Sequence, residues 1–342
     1  MPRVHVFIPT FRRGPLLQRA LRSLSAQTFT DWSACVHNDD PTDPEPARIV
    51  ASFADPRLRL VTHITNLGAV RAFNRGLGEA PPSVDYVSIL EDDATWDPPF
   101  LATWKDALDR PPAATLVWCN QRIAVESPDG HCTDTGLWVH PREPQDDGRP
   151  RLIPWGDLRQ ATGALMANGA MLLRRASLPA PTPADLPFTG MEAVRERLVR
   201  HPLLFIPEPL ATYTRTQTSA RDADGRRWGE IQALLLATFV RHAEMDTTAV
   251  DAFWDHLRRQ APPPTNLAFH AALSDPACRH LLAGARFADW MRYFKTWIGR
   301  PRGAWACLRA RSRHPGWWTA LDTATFERFA EARQATAVPF QP

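Results

Sequence analysis

Residues 84–100 read VDYVSILEDDATWDPPF, and this stretch decides the predicted fold. Its first half, Val84–Leu90, has the nearly continuous apolar character of a buried β-strand. The strand is followed at once by the acids Glu91, Asp92 and Asp93. Neighbouring carboxylates at the end of a buried strand repel one another and lose hydration if they are packed. A divalent cation, which prefers oxygen ligands, is a common remedy, whereas a helix cap or a solvated turn is the alternative.

The residues after the acids argue against the helix-cap alternative. Asp97 is a favourable N-cap residue, and Pro98 is well suited to the first position of a helix. A helix starting here has its own cap, so the three acids before it are not needed for that purpose. We therefore predict a metal and phosphate site at the end of this strand.

Length and composition are those of a globular protein. The 342 residues suffice for one large domain or for one domain with a substantial appendage. Hydrophobic residues make up 44% of the chain and charged residues 23%, which is ordinary for such proteins. The chain has no apolar run of 18 residues and its N-terminus leads straight into a strand. We expect neither a membrane-spanning helix nor a signal peptide.

Residue usage also indicates a source and a compartment. Lys105 and Lys295 are the only lysines in a chain rich in Arg, Ala and Pro, which is typical of a bacterial gene with a high G and C content. The five cysteines are scattered and lack metal-binding spacing, so we expect reduced thiols in a cytoplasmic protein. Nothing in the composition indicates nucleic-acid binding.

Strands and helices alternate through the first hundred residues. Strands are predicted at Val4–Ile8, Ser33–His37, Leu58–His63 and Val84–Leu90, and helices at about Pro15–Gln27 and from the segment after Gly68 to about Gly78. This alternation predicts an α/β fold with a mostly parallel sheet and helices on both faces. In such sheets ligands bind outside the carboxyl ends of the strands. The polar segments that follow the four strands are Pro9–Phe11, Asn38–Asp43, Asn66–Gly68 and Glu91–Asp93.

These segments, in this order, resemble the motifs of the inverting glycosyltransferases of family 2, which have the GT-A fold. They read IPTFRRGPLLQRALRSLSAQTFTDW at 8–32, HNDDPTD at 37–43, NLGAVRAFNRGL at 66–77 and ILEDDATWDPPFL at 89–101. The resemblance continues through 168–175 and ends near 206–213. It implies a GT-A catalytic domain over residues 1–220, with a nucleotide-sugar half at about 1–110 and an acceptor half at about 111–220.

The sequence departs from the family pattern at several positions. The run from His37 to Pro41 replaces the usual V-D-D-G-S, so Asp39 aligns with the base-binding Asp and Asp40 is the alternative. Phe73 stands where many members have Arg, and Arg71 lies two residues earlier. The His that often follows the last strand is missing. No Q-x-x-R-W motif is present, which favours the addition of one sugar over polymer synthesis.

The resemblance implies a nucleotide-diphosphate sugar donor, usually carrying uracil. Pro9, Thr10, Phe11 and Asp39 would then hold the base, while an ordinary strand-ending turn is the alternative interpretation of 9–11. Arg13 or Arg71 would pair with phosphate, because a guanidinium matches phosphate geometry; a solvated helix residue is the alternative for either.

The acidic motif is implied to hold the donor and a cation. Asp92 would face the ribose, Asp93 would bind Mn²⁺ or Mg²⁺, and Glu91 is a candidate additional ligand. The cation would stabilise negative charge on the diphosphate as the sugar–phosphate bond breaks.

Inversion needs a carboxylate that takes the proton of the acceptor hydroxyl. In the family this acid precedes a helix about a hundred residues after the acidic motif, and Glu192 in FTGMEAVRERL takes that position here. The alternative is that Glu192 only favours the helix N-terminus through the helix dipole.

Residues 221–342 are predicted to form an all-helical extension. Helical spacing recurs around 231–239, 250–257, 281–294 and 319–333, and a Pro-rich link lies at 261–264. Seven of the thirteen Trp lie here, several of them among Arg. Binding to an anionic membrane, an acceptor pocket, and a helical core or dimer interface are the three open interpretations.

Together these observations predict a metal-dependent, inverting hexosyltransferase-type enzyme that moves one sugar to an acceptor hydroxyl. The acceptor class stays open between a lipid-linked saccharide, a peptide and a small natural product, and both a homodimer and peripheral contact with the inner membrane face stay open. One alternative is a GT-A-fold binding or scaffold protein without turnover. The other is a nucleotidyltransferase, although the Gly-rich loop it would need after the first strand is missing.

Overall fold

The computed structural model describes residues 3–109, 114–140, 148–216, 225–260 and 262–337. The strands are β1 Val4–Thr10, β2 Trp32–Asn38, β3 Leu58–Thr62, β4 Tyr86–Ile89, β5 Ala94–Trp96, β6 Leu116–Glu126, β7 Cys132–Trp138, β8 Arg151–Ile153, β9 Met171–Arg174 and β10 Leu203–Arg215. The helices before β10 are α1 Gly14–Ser25, α2 Glu45–Phe53, α3 Ala69–Gly78, α4 Phe100–Asp109 and α5 Met191–Leu198. Those after it are α6 Gly225–His242, α7 Thr247–Arg259, α8 Thr265–Ser274, α9 Phe287–Gly299, α10 Pro301–Leu308, α11 Ala310–Arg313 and α12 Pro315–Ala337.

All these strands join one sheet in the order β3-β2-β1-β4-β9-β6-β10-β5, with β7 paired to β6 and β8 to β10. The four strands β3, β2, β1 and β4 are parallel to one another, as are β6 and β10. Strand β9 runs antiparallel to both β4 and β6. The predicted α/β class is confirmed, and the strands that follow one another by βαβ units form the parallel part.

Alternating side chains of β1 bury against helices on both faces of the sheet. Val6 and Ile8 belong to the same core cluster as Leu17 of α1. Phe7 points the other way and meets Phe73 of α3 edge to face, with 5.5 Å between ring centroids. Because successive side chains of a strand point to opposite faces, β1 packs against helices on both sides of the sheet.

The region after the acidic motif differs from its prediction. Ala94–Trp96 forms a short strand that pairs antiparallel with β10, and α4 starts only at Phe100. The carboxylate of Asp97 accepts a hydrogen bond from the guanidinium of Arg122 in β6, 25 residues away in sequence. The side chain of Asp97, predicted to be an N-cap, is therefore engaged in a long-range ion pair.

The chain divides into two compact units. Unit 1 consists of Met1–Ile153, Met166–Ala184 and Val199–Ala220, and it contains the whole sheet with α1 to α4. Unit 2 consists of Pro154–Leu165, Asp185–Leu198 and Arg221–Pro342, and its α-helices are α5 to α12.

Unit 2 confirms the helical prediction for the C-terminal region. α6, α7 and α12 cover three of the four segments with helical spacing, while the fourth splits into a 3-10 helix at Pro276–Gly284 and α9. In the predicted Pro-rich link, Ala261 lies outside the described residues, and Pro262–Pro264 directly precede α8. Among the described residues, none of the helices has the length and apolar content needed to cross a bilayer.

Candidate functional site

The parallel register brings the polar strand ends of unit 1 together. Phe7 of β1 lies opposite Ile89 of β4, so Thr10 and Asp92 each lie three residues beyond this pair. On the other side of β1, Thr10 lies opposite Asn38 of β2. The segments predicted to form the site therefore meet at the carboxyl edge of the sheet, where ligands bind in this fold class.

Asp92 and Asp93 share one guanidinium. Nη1 of Arg13 lies 3.2 Å from Oδ1 of Asp92 and 3.1 Å from Oδ2 of Asp93. The hydroxyl of Thr10 donates a hydrogen bond of 2.9 Å to the other oxygen of Asp92. Arg13 lies just before α1, so the β1–α1 turn supplies both the hydroxyl and the cation that compensate the acids.

Asp92 is only 5% exposed. Burial raises the pKa of its carboxyl to about 6, because a charged carboxylate loses hydration; the nearby Asp93 adds to this shift, whereas Arg13 and the Thr10 hydrogen bond oppose it. An additional positive charge next to Asp92 would favour its ionised form.

A residue of α1, Arg19, also stabilises the turn that contains Glu91, Asp92 and Asp93. Nη2 of Arg19 donates hydrogen bonds to the backbone oxygen of Asp93 at 3.2 Å and to the hydroxyl of Thr214 in β10 at 2.7 Å. The sequence alone does not distinguish Arg19, because on helical spacing it is one more polar residue of an amphipathic helix.

A buried and a half-buried carboxylate side by side at a strand end fit a hard divalent cation that is bound jointly by protein and diphosphate. Mg²⁺ is typically held by one or two carboxylates together with substrate phosphates. Within the described part of the chain, no three His, Cys, Asp or Glu side chains come together as an all-protein cage. Asp93, the acid predicted to bind the metal, would therefore hold such an ion, with the remaining ligands coming from the donor and water.

Glu91, predicted as an additional ligand, extends toward the loop before β9. A Cβ atom placed on Gly169 would lie 3.2 Å from Oε2 of Glu91, so this glycine leaves room for the carboxylate. The role of Glu91 as a ligand stays a prediction.

The carboxylate of Asp39 accepts three hydrogen bonds, and its backbone donates a fourth. Its Oδ1 accepts from Nδ1 of His63 and from the backbone N–H of Leu67, both at 2.8 Å, and its Oδ2 accepts from the N–H of Gly68 at 3.0 Å. The backbone N–H of Asp39 donates to the carbonyl of Thr10 at 3.0 Å. Because each carboxylate oxygen has two lone pairs, Oδ2 keeps capacity for a further donor.

His63 is in turn supported by a second buried histidine. Its Nε2 lies 3.2 Å from Nδ1 of His37, and both rings are at most 2% exposed. Burial lowers the pKa of His37 to about 4, so this ring is neutral near pH 7. Nδ1 of His63 faces Asp39, and its Nε2 shares a hydrogen bond with Nδ1 of His37. Sequence reasoning missed both roles, since a His at a strand end carries no motif.

The carboxylate of Asp40 stabilises the turn from Asp40 to Thr42. Its Oδ1 accepts from the N–H and hydroxyl of Thr42 at 2.9 and 2.7 Å, and its Oδ2 accepts from Nε of Arg12 at 2.6 Å. The Thr42 hydroxyl and Arg12 lower the pKa of Asp40 to about 2. Arg12, at a left-handed φ of 56°, also lies 5.0 Å from the centre of the Phe11 ring.

Two predicted nucleotide contacts border this turn. Phe11 is 42% exposed and Pro9 is half-buried, so part of an aromatic residue is accessible beside the strand ends. Arg71 is exposed in the first turn of α3, whereas Phe73 belongs to the core against Phe7. Position 73, where many family members have Arg, therefore holds a core packing residue in this chain. Arg71 is the exposed cation in the first turn of α3.

Glu192 lies in unit 2, in the first turn of α5. It lines a cavity of about 210 Å³ together with Phe188, Thr189 and Trp228, all from the same unit. The hydroxyl of Thr189 is buried there without a hydrogen-bond partner among the described residues. The cavity thus contains a carboxylate, an aromatic ring and an unsatisfied hydroxyl, which are groups suited to a polar ligand.

Comparison with known proteins finds similarity over the first part of the chain. Residues 5–162 match the model of the family described as "Glycosyl transferase family 2". The chain is 30% identical over 128 residues to the uncharacterized protein y4gI of Sinorhizobium fredii, which is 36% of this chain and 14% of y4gI. It is 31% identical over 112 residues to the succinoglycan biosynthesis protein ExoW of Rhizobium meliloti, which is 32% of this chain and 35% of ExoW.

The match thus spans only about a seventh to a third of these curated relatives. A solved structure covers more: S. aureus TarS 1-349, in complex with UDP-GlcNAc, superposes over 100% of this chain and 93% of TarS 1-349 with a TM-score of 0.55 and 13% identity. At this identity the likeness establishes the fold, which is that of TarS.

Proposed function

Because the segment of residues 5–162 belongs to glycosyltransferase family 2, we propose that this protein transfers a single sugar from a nucleotide-diphosphate sugar to an acceptor hydroxyl, with inversion. The observation that carries the proposal is the arrangement of Thr10, Arg13, Asp92 and Asp93 at the carboxyl edge of the parallel strands. It combines two acids with a cation and a hydroxyl at the point where this fold class binds its ligands.

In this proposal the nucleotide lies across the ends of β1, β2 and β4. Phe11 and Pro9 contact the base, and Oδ2 of Asp39 accepts a hydrogen bond from it, with Asp40 as the alternative acceptor. Asp92 faces the ribose. Arg13 and Arg71 pair with phosphate oxygens, since guanidinium groups match phosphate geometry.

The donor we propose is a UDP-sugar. Structures of TarS 1-349, whose fold this chain shares, were solved in complex with UDP and with UDP-GlcNAc. An exposed aromatic ring next to a carboxylate that can accept from an N–H suits uracil, which offers a flat face and one N–H donor. This support concerns the nucleotide and leaves the sugar and the acceptor open.

Mn²⁺ or Mg²⁺ is the proposed cofactor, held by Asp93 with Glu91 as a candidate additional ligand. When bound, the cation supplies positive charge that stabilises the diphosphate leaving group. Arg13 contributes charge at the same place, because its guanidinium already lies within 3.2 Å of both acids.

We propose Glu192 as the base that takes the proton of the acceptor hydroxyl. Its support is the family's sequence pattern and its place in a cavity with the unsatisfied hydroxyl of Thr189.

In the same proposal, residues 1–220 are the catalytic domain and 221–342 a helical extension. The five cysteines are free thiols, which supports a cytoplasmic location.

The test is donor hydrolysis and transfer by the purified full chain. A panel of UDP-sugars is incubated with Mn²⁺, and release of UDP is measured for wild type and for Asp93→Ala. We expect release from at least one donor, lost in the variant and on chelation of the metal. Binding of UDP without release from any donor or acceptor mixture would favour the alternative of a GT-A-fold binding protein.

A further inference from the structure

Helix α9, Phe287–Gly299, carries an apolar stripe that no other part of the described chain covers. Phe287 is 81% exposed, Met291 43%, Phe294 55% and Ile298 83%. The spacings of four, three and four residues place these side chains on one face of the helix over about three turns. Scattered exposed apolar residues are ordinary, but four on one helix face form a continuous surface.

The opposite face of α9 anchors the helix in unit 2. Tyr293 is buried and stacks on Phe269 of α8 with 4.7 Å between ring centroids. Asp289 is 2% exposed and accepts a hydrogen bond of 2.7 Å from Arg258 of α7. Because this face makes the packing contacts, the stripe is not needed to hold α9 in place.

The sequence segment that contains the stripe is strongly basic. Residues 286–314 contain eight Lys or Arg and one acid, the buried Asp289, whereas the whole chain has a net charge of only +3. The eight cations are Arg286, Arg292, Lys295, Arg300, Arg302, Arg309, Arg311 and Arg313. All eight are exposed, and Arg292 and Lys295 lie on α9 itself beside the stripe.

We propose that α9 binds the surface of an anionic lipid bilayer, with Phe287, Met291, Phe294 and Ile298 inserted at the boundary between headgroups and acyl chains. Helices that lie in a membrane interface combine an apolar face rich in aromatic residues with flanking Lys and Arg. The apolar side chains contribute the hydrophobic part of binding, and the basic side chains contribute attraction to anionic headgroups.

The charges also favour a membrane over a second copy of the chain as the partner of this stripe. Asp255, Asp275 and Glu230 pair with Arg286, Arg311 and Arg313. Two copies joined through this stripe would still bring the exposed Lys295, Arg300 and Arg302 of one copy close to those of the other. An anionic bilayer instead complements both the apolar and the basic parts of the surface. The inference does not rest on the proposed function, because vesicle binding requires no sugar donor.

The experiment is co-sedimentation of the full chain with vesicles of phosphatidylcholine alone and of phosphatidylcholine with about 30% phosphatidylglycerol. The variants are Phe287→Ser/Ile298→Ser, which removes the two most exposed apolar residues of the stripe, and Lys295→Gln/Arg302→Gln, which removes charge. Leu273→Ser is the matched control, since Leu273 is a 51% exposed apolar residue on α8. Circular dichroism verifies that each variant is folded.

We expect wild type to bind the anionic vesicles and to bind phosphatidylcholine alone at least about tenfold more weakly. Both double variants should lose at least about tenfold in affinity for the anionic vesicles, whereas Leu273→Ser should bind like wild type. Equal binding by wild type and Phe287→Ser/Ile298→Ser would overturn the proposal. So would a wild-type dimer, found by sedimentation velocity, that the same variant converts to monomer.

Discussion

Nδ1 of the buried His63 donates a hydrogen bond of 2.8 Å to Oδ1 of Asp39, the residue that we propose binds the base. His63 thereby fixes the orientation of a carboxylate 24 residues away in sequence. The second oxygen of Asp39 is left facing the N–H of Gly68, with room for one more donor.

We predict that His63→Ala weakens UDP binding by about 10- to 150-fold, the equivalent of the roughly 1.5–3 kcal/mol that a hydrogen bond to a charged group contributes. Because His63 acts through Asp39, the same substitution in an Asp39→Asn background should have little further effect. Isothermal titration calorimetry on the four members of this double-mutant cycle measures the coupling. His131→Ala, at an exposed hairpin, is the control. Additive effects of the two substitutions would contradict the positioning role.

Arg13 is predicted to have opposite effects on metal and nucleotide. Its guanidinium lies between Asp92 and Asp93, where it repels a divalent cation and attracts phosphate. Arg13→Gln should therefore strengthen Mn²⁺ binding in the absence of nucleotide and weaken UDP binding by about tenfold. Titration of Mn²⁺ and of UDP into wild type, Arg13→Gln and the exposed α1 control Arg22→Gln separates the two effects. Weaker binding of both ligands would show that Arg13 only maintains the fold of the site.

Glu192→Gln should reduce transfer and leave donor binding unchanged. Removing a general base typically costs about 10²- to 10⁴-fold in rate, whereas the nucleotide contacts proposed here involve other residues. Steady-state transfer and UDP titration are measured on the same preparations. Glu208→Gln, at an exposed position of β10, is the matched control. Unchanged turnover in Glu192→Gln would exclude Glu192 as the base.

His270 predicts a pH dependence of stability in unit 2. It is 1% exposed and neither ring nitrogen has a hydrogen-bond partner among the described residues. Burial lowers the pKa of His270 to about 4, below its usual value of 6.5. The unfolded chain therefore binds the proton first as pH falls, so the stability that neutral His270 contributes is complete above about pH 6.5 and is lost between there and about pH 4.

The expected loss is about 1 kcal/mol at about pH 5.5 relative to about pH 7.5. His270→Met should remove this part of the pH dependence, whereas the control His280→Met, at an exposed position, should retain it. Urea unfolding of the three proteins at both pH values gives the free energies of unfolding. An unchanged pH dependence in His270→Met would contradict the assignment.

Much of the nucleotide half could be predicted from the sequence because its signals are local. β1, α1, β2, β3 and α3 coincide with their predicted segments to within one or two residues, since apolar periodicity and polar strand ends mark them. Once these strands are parallel, the register alone brings Thr10, Asn38 and Asp92 to one edge of the sheet.

The contacts that tune the site could not be predicted in the same way. Arg13 with Asp93, Arg19 with Thr214, and His63 with Asp39 join residues 80, 195 and 24 positions apart. Only the packed fold decides which polar side chains meet across such distances. β5 escaped prediction for a related reason, because its three residues form a strand only through pairing with β10.

The central claim is that the acidic end of β4 binds a nucleotide diphosphate together with a divalent cation, and calorimetric titration of UDP tests it most directly. UDP is titrated into wild type and Asp93→Ala, each with and without Mn²⁺. We expect wild type to bind UDP much more tightly with Mn²⁺, and Asp93→Ala to lose this metal dependence while remaining folded. Equal, metal-dependent binding by both proteins would contradict the site proposed here.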